Sequence, residues 1–451
     1  MESAFIDTVA ANCGSAAMSA NTTEILSKRA RQHNMPPKSR GGRANVQNHG
    51  KNGKLQISSQ EDSSSKRIHP PVQLQQKLLD VFRNAFPSRF EPDLPAWLQE
   101  VKRFLYQRDF NRAFGRDEYR EAYAVRWSPS RALGYVDILE PIISKIYEQR
   151  GRRDVMDIET KEPTLKSKDK GIRVSCIGGG AGAEIVALAA VLKLHNWSHS
   201  SANCSQGGGE VDNENTSEGF EDNGLSLSVD FIDIADWSSI LDRLYQTITS
   251  PPPLSAYASA KAKAKNVPLI LPTSYNVVFS QHDILKLHPR ELYPLVGTRD
   301  MVTLLFTLNE LYTTSSLLTQ TFLLNLTACM AVGSLLLVVD SAGDYTEVGF
   351  SREETKKYPM QWLADRTLLT SATEVGFSHP IEGPGDDESA EHKRERKYRE
   401  GRAKDSVKWE KIREENSKWF RLAEGLTYPV ELENMRYQLH LYRRISHPES
   451  S

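Results

Sequence analysis

Cysteine is scarce in this chain. Only Cys13, Cys176, Cys204 and Cys329 occur in 451 residues, and no two form a C-x-x-C pair. That spacing offers neither a thiolate zinc site nor a disulfide framework, so no metal and a reducing intracellular compartment are expected. Apolar residues make up 39% of the chain, somewhat little for a globular protein, which implies polar tails or inserts around an ordinary core. The N-terminal stretch lacks the compact apolar run of a secretory signal. One long apolar run exists, "FLLNLTACMAVGSLLLVV" at 322–339. Its length approaches a spanning helix, but Asn325 and Thr327 interrupt it and Gly333-Ser334 divides it. It reads as a buried helix, a turn and a buried strand, with no membrane partner.

Acids are missing from residues 25–60, which carry Lys28, Arg29, Arg31, Lys38, Arg40, Arg43, Lys51 and Lys54. Such an arm suits phosphate backbones or a nuclear address, and equally a solubilising tail. Residues 1–68 as a whole, rich in Ser, Asn, Gln and Gly, read as a disordered basic tail.

Residues 69–165 read as a helical region. Leu74, Leu78, Phe82 and Phe86 repeat every four residues until Pro87 closes the segment. A second stripe holds Leu94, Trp97, Leu98, Val101, Phe104 and Leu105. In the third segment, "YAVRWSPSRALGYVDILEPIISKIY", Ser128-Pro129 reads as a helix start.

Residues 166–446 read as an α/β domain with a doubly wound, Rossmann-like sheet. Candidate strands at 173–177, 227–232, 276–280, 301–306 and 335–339 lack clean alternation, as strands buried on both faces do, and helical signals separate them. Polar inserts near 198–224, 250–266 and 382–405 read as disordered. "KKYPMQWLADRTLL" reads as helical, and the charged stretch 386–418 as a solvated or RNA-facing helix. "WFRLAEGL" and "MRYQLHLYRRI" read as a closing antiparallel hairpin.

The first strand runs into Gly178-Gly179-Gly180-Ala181-Gly182 with Glu184 close behind. Missing Cβ atoms let backbone amides approach a ligand, and the following helix presents free N–H groups. A dinucleotide pyrophosphate fits, and so does the carboxylate end of S-adenosylmethionine. Gly178, Gly180 and Ala183 satisfy the G-x-G-x-x-A fingerprint, so the loop alone leaves both open. Asp233, at the tip of the second strand, is placed to accept from ribose hydroxyls, or to cap the next helix. Asp283, after the third strand, can meet an adenine amino group or cap a turn. The fourth strand delivers Asn309-Glu310 to the crevice at the switch point, where Asn can hold an amide edge and Glu can take a proton.

These stations, together with the closing hairpin, resemble a class I methyltransferase more than a nicotinamide enzyme, for which no substrate domain is evident. The set "YAVRWSPSRALGY", "CIGGGAGAEIVAL", "DIADW", "FTLNELY" and "LENMRYQLHLYRR" resembles the fungal family of large-subunit (25S) ribosomal RNA uridine-N(3) methyltransferases over roughly residues 70–445. The resemblance implies S-adenosyl-L-methionine as cofactor and large-subunit ribosomal RNA or a preribosome as partner. It implies residence in the nucleus, nucleolus and cytoplasm. It implies that Asn309 and Glu310 are catalytic, and that Gly178, Gly179, Gly180, Gly182, Glu184, Asp233 and Asp283 bind cofactor. Tyr123, Arg126 and Trp127 are candidates to fold over the cofactor, Trp127 equally a core residue. A non-catalytic RNA-binding scaffold and an NAD-dependent oxidoreductase are the competing readings.

Overall fold

The computed structural model describes residues 70–159, 171–204, 224–343, 345–349, 355–369 and 408–446. They belong to one compact unit. The basic tail and the insert at 382–405 lie outside the described residues.

Among the described residues, four α-helices precede the sheet. α1 (Val72–Ala85) buries Leu74, Leu78, Leu79 and Phe82 on one stripe and ends ahead of Pro87. α2 (Leu94–Tyr106) buries Leu94, Val101, Phe104 and Leu105. α3 (Phe110–Ala113) is a single turn whose Asp109 carboxylate accepts from the Arg112 amide at 3.1 Å. α4 (Asp117–Glu159) is 43 residues long and runs straight through Pro129 and Pro141.

That continuity corrects the reading of Ser128-Pro129 as a helix start. A proline inside a helix removes the donor for the carbonyl four residues earlier, here Val125. The Tyr428 hydroxyl, from the C-terminal part of the chain, donates to that carbonyl at 2.9 Å. The helix passes the proline because a distant residue replaces the missing N–H.

The sheet is built from β1 (Ile172–Ile177), β2 (Leu227–Asp233), β3 (Tyr275–Gln281), β4 (Met301–Leu305), β5 (Leu335–Ser341), β8 (Trp409–Phe420) and β9 (Met435–Arg444). Its order is β3-β2-β1-β4-β5-β9-β8. β1 to β5 are parallel; β9 runs antiparallel to β5, and β8 antiparallel to β9. The order reverses between β1 and β4, which creates the switch point where open α/β sheets bind ligands. α5 (Ala183–Cys204), α6 (Ser238–Thr249), α8 (Pro289–Val296), α9 (Leu308–Thr314) and α10 (Ser316–Cys329) connect these strands. β4 and β5 are buried along their whole length, so their apolar runs carry no alternation. Val302, Leu304, Leu336 and Val338 pack with Phe322, Leu326, Trp409 and Tyr442 in one core cluster. Burying each such side chain stabilises the fold by roughly 1.5–3 kcal/mol.

Several readings shift. The apolar run 322–339 divides as expected into α10, a turn with Gly333 at φ +90°, and β5. No described helix is long and apolar enough to cross a membrane. The segment 250–266 is not featureless: Ser259 caps a short helix, α7 (Ala260–Ala264), and the Asn266 amide donates to the Pro252 carbonyl at 2.8 Å. α5 continues to Cys204, past the expected insert boundary at 198; residues 205–223 lie outside the described residues. "KKYP" is not helical, because residues 356–359 belong to β7 (Thr355–Pro359), paired with β6 (Tyr345–Gly349). The helix α11 begins only at Met360 and runs to Leu369. Residues 409–418 of the charged stretch form most of β8, not a solvated helix. Trp409 anchors that strand, its indole N–H donating to the Thr327 hydroxyl at 2.8 Å. Only Trp419 and Phe420 of "WFRLAEGL" are in the strand.

Candidate active site

The glycine loop joins β1 to α5 at the switch point. Gly178 and Gly182 adopt φ of +78° and +91°, which L side chains rarely tolerate. The loop's bareness has a second cause. A Cβ on Gly179 would lie 2.2 Å from Glu184 Oε2, one on Gly180 2.2 Å from Trp237 Cδ1, and one on Gly182 2.3 Å from Leu244 Cδ1. The chain's own side chains fill the space on that side. Glycine therefore serves close internal packing as well as approach to a ligand, which corrects the simpler expectation.

Four aromatic rings support the loop. Trp237 packs 5.0 Å from Phe114 and 5.9 Å from Tyr123, and Tyr123 lies 4.9 Å from Trp127, measured between ring centroids. Trp127 is buried, as a core residue would be. The Ser128 hydroxyl donates to the Ala181 carbonyl at 2.6 Å, so α4 grips the loop from above. Arg126 does not reach into the crevice. Its guanidinium donates to the Glu431 carbonyl at 3.1 Å and pairs with Glu433, fastening the C-terminal loop to α4.

Glu184 points inward and is 3% exposed. It accepts from the Thr303 hydroxyl of β4 at 2.6 Å. Burial pushes its carboxyl up to about 7. Asp233 is also buried; it accepts from the Gly180 amide at 3.2 Å and the Ala235 amide at 3.3 Å. Burial pushes it up to about 6, the two amides opposing. Asp283 is different. It accepts from the Leu285 amide at 3.2 Å and pairs with Lys286 at 2.8 Å, so it closes a turn after β3.

Asn309 and Glu310 lie in the first turn of α9, at the tip of β4, and both are buried. The Asn309 amide donates to Asp340 Oδ2 at 3.2 Å. Asp340, near the end of β5, was not among the sequence candidates. Burial pushes it up to about 7, with the neighbouring Glu310 carboxylate adding to the rise. Its signal was present in "LLLVVDS", an acid closing an apolar strand. Thr303, the one polar residue in "MVTLL", was also missed.

Phe306 has φ +55°, a strained conformation for a side chain of that size. Its amide donates to the Val339 carbonyl at 2.6 Å, the Arg131 guanidinium sits 4.5 Å over its ring, and Tyr135 stacks at 6.3 Å. The Thr307 hydroxyl donates to the Ile177 carbonyl at 3.2 Å, tying the β4 tip to β1. The strain fixes the entry of "FTLNELY" into the crevice.

Four buried acids thus lie at the carboxyl ends of the strands, Glu184, Asp233, Glu310 and Asp340, and burial pushes three of them, Glu184, Asp233 and Asp340, up to about 6 or 7. A cationic ligand bearing hydroxyls supplies what they lack. A pyrophosphate fits less well, because the Gly180 amide is already occupied by a carboxylate.

The comparisons agree. A family model described as a SAM-dependent methyltransferase matches residues 82–443. The chain belongs to the SAM-dependent methyltransferases. This methyltransferase has the class I strand order, with the helical region α1–α4 added before it. A relative from Saccharomyces cerevisiae named 25S rRNA (uridine(2843)-N(3))-methyltransferase is 30% identical over 378 residues, covering 81% of this chain and 85% of the relative. Solved structures are less alike in sequence. An O-methyltransferase family protein from Burkholderia thailandensis is 12% identical, covers 82% of this methyltransferase and 72% of its own chain, and gives a TM-score of 0.30. A SAM-dependent methyltransferase from Methanosarcina mazei is 10% identical, covers 60% and 92%, and gives 0.28. The fold assignment rests on strand order and family.

Proposed function

We propose that this methyltransferase transfers a methyl group to N3 of a uridine in large-subunit ribosomal RNA. The observation that carries the reading is the identity to the yeast protein of that name over 81% of the chain. S-adenosylmethionine supplies the methyl group, already activated by its sulfonium charge. Gly178, Gly180, Gly182 and Asp233 would hold it, the glycines by letting the backbone come close and Asp233 at the ribose; Glu184 would support the loop from beneath, and Asp283 is the weaker candidate for the adenine.

The uracil N3–H is normally engaged in pairing, so the base must be single-stranded or turned out of its stack. Asn309 orients a uracil carbonyl with its amide. Glu310 accepts the N3 proton as the nitrogen lone pair becomes available. Its burial keeps competing water away from that proton. Positioning carries most of the rate, because the reacting base and the methyl are held together in one crevice.

The test incubates the full chain with labelled S-adenosylmethionine and unmodified large-subunit ribosomal RNA or preribosomes. Nucleosides are then identified by mass spectrometry. N(3)-methyluridine that falls at least about a hundredfold with Glu310→Gln supports the reading and the base. A different methylated nucleoside, or none, overturns it. The basic arm at 25–60 and an RNA substrate favour residence in the nucleus, nucleolus and cytoplasm; localisation of the tagged chain with and without that arm tests it.

A further inference from the structure

At the opposite end of the sheet from the glycine loop, where the parallel strands begin, lies a cavity of about 540 Å³. It opens between the second half of α4, the starts of β1, β4 and β5, and the end of β9. Ile142, Ile146, Leu335 and Leu441 form an apolar bed. Six cations line it, Lys145, Arg150, Arg173, Arg299, Arg413 and Arg443, against Asp300 as the single lining acid.

Four of the cations already have acid partners. Arg150 pairs with Asp300, Arg299 with Asp230, Arg413 with Glu415 at 3.2 Å, and Arg443 loosely with Glu410 at 3.7 Å. Lys145 and Arg173 form no ion pair among the described residues. The Arg173 Nε is buried and meets no hydrogen-bond acceptor among the described residues. An unmet guanidinium donor is costly unless an anion completes it.

We propose that this cavity binds a phosphate-bearing nucleotide. The volume lies within the usual range for small-ligand sites. Guanidinium forks match phosphate oxygens, and the aliphatic bed accepts the face of a base. The six residues of β5 from Leu335 to Asp340 are five steps, roughly 17 Å at about 3.3 Å each. A nucleotide here is therefore not the one being methylated. On the RNA reading above it is a neighbouring nucleotide of the same substrate, and the cavity is an anchor that sets register. Only the source of the nucleotide rests on that reading; a free nucleotide has the same chemistry.

The test measures binding of a short labelled oligouridylate to the full chain, saturated with S-adenosylhomocysteine, across a series of salt concentrations. UMP is titrated in parallel. The Lys145→Gln/Arg173→Gln double variant is expected to bind the oligonucleotide roughly tenfold more weakly. Its slope of log affinity against log salt should be smaller by about 1.4, at about 0.7 per lost contact to a single strand. S-adenosylhomocysteine affinity should not change. If oligouridylate binding is unchanged but UMP binding is lost, the site stands and its nucleotide is a free one. If the double variant binds both as the wild type does, or the wild type binds neither, the proposal is overturned. Failure of the wild type to methylate ribosomal RNA, with these binding differences intact, would sink the proposed function and leave this site standing. Should the double variant lose its melting transition, Lys145→Gln alone decides, since that side chain is exposed; its slope should fall by about 0.7.

Discussion

Replacing Glu184 with Gln separates support of the loop from contact with the cofactor. The Thr303 hydroxyl donates to Glu184 Oε1 at 2.6 Å, and a glutamine oxygen accepts the same bond. What changes is ionisation. Burial raises the folded carboxyl from 4.5 to about 7. A raised carboxyl favours the fold below pH 4.5, and that contribution is lost as pH rises through 7. With about 1.4 kcal/mol per pH unit, wild-type Glu184 costs about 3 kcal/mol at pH 8 and less than about 1 kcal/mol at pH 5. Glu184→Gln should therefore stabilise the chain at pH 8 by about 3 kcal/mol, roughly 6 °C in Tm at about 2 °C per kcal/mol for a domain of this size, and change it little at pH 5. Thermal melts of both proteins from pH 5 to 8.5 read the difference directly. A constant offset across that range would refute the assignment of an ionisable, buried Glu184. A loss of cofactor affinity larger than the change in stability would return Glu184 to the ligand's own shell.

Gly182→Ala should cost roughly 2–4 kcal/mol, from a φ of +91° and a Cβ 2.3 Å from Leu244 Cδ1; combining it with Leu244→Ala should recover the steric part, read from denaturant midpoints in a double-mutant cycle. Tyr428→Phe should cost about 1–3 kcal/mol by leaving the Val125 carbonyl unmet beside Pro129, measured by the same midpoints. Asp233→Ala should weaken S-adenosylhomocysteine binding about tenfold or more by calorimetry, because it removes both the ribose acceptor and the carboxylate on the Gly180 amide. Asp340 ionises around pH 7, so Asp340→Asn should flatten the pH dependence of methyl transfer between about pH 6 and 8, read from initial rates.

All five parallel strands were legible with boundaries within two residues of those found, β4 and β5 because both faces are buried and they read as solid apolar runs, β3 by its Val-Val-Phe run although it is an edge strand only partly buried. β8 was not, because only its two ends, Trp409 and Phe420, are buried. Its middle is dense with charge, and charge density reads like a solvated helix until β9 is seen beside it. The passage of α4 through Pro129 was illegible for a related reason. Local chemistry disfavours it, and the hydroxyl that meets the freed Val125 carbonyl lies 303 residues beyond that carbonyl.

The same division runs through the site. The stations at strand tips were readable, since they depend on order along the chain. The roles within them were not, since they depend on what lies across the sheet. Glu184 looks like a ligand residue by its place in the loop, yet Thr303 of β4 turns it inward. Asp340 looks like an ordinary strand end, yet it holds the backbone of Asn309 and lies beside Glu310. The glycine loop joins the two levels. Its four glycines let the backbone turn tightly into a helix start, and three of them, Gly179, Gly180 and Gly182, also let Glu184, Trp237 and Leu244 close in beneath. A side chain at Gly179, Gly180 or Gly182 would meet the acid, the indole or the leucine. A site of this kind is therefore held by its underside. Substitutions in Trp237 or Leu244, which touch no reacting atom, should disturb the loop as much as substitutions in the loop itself.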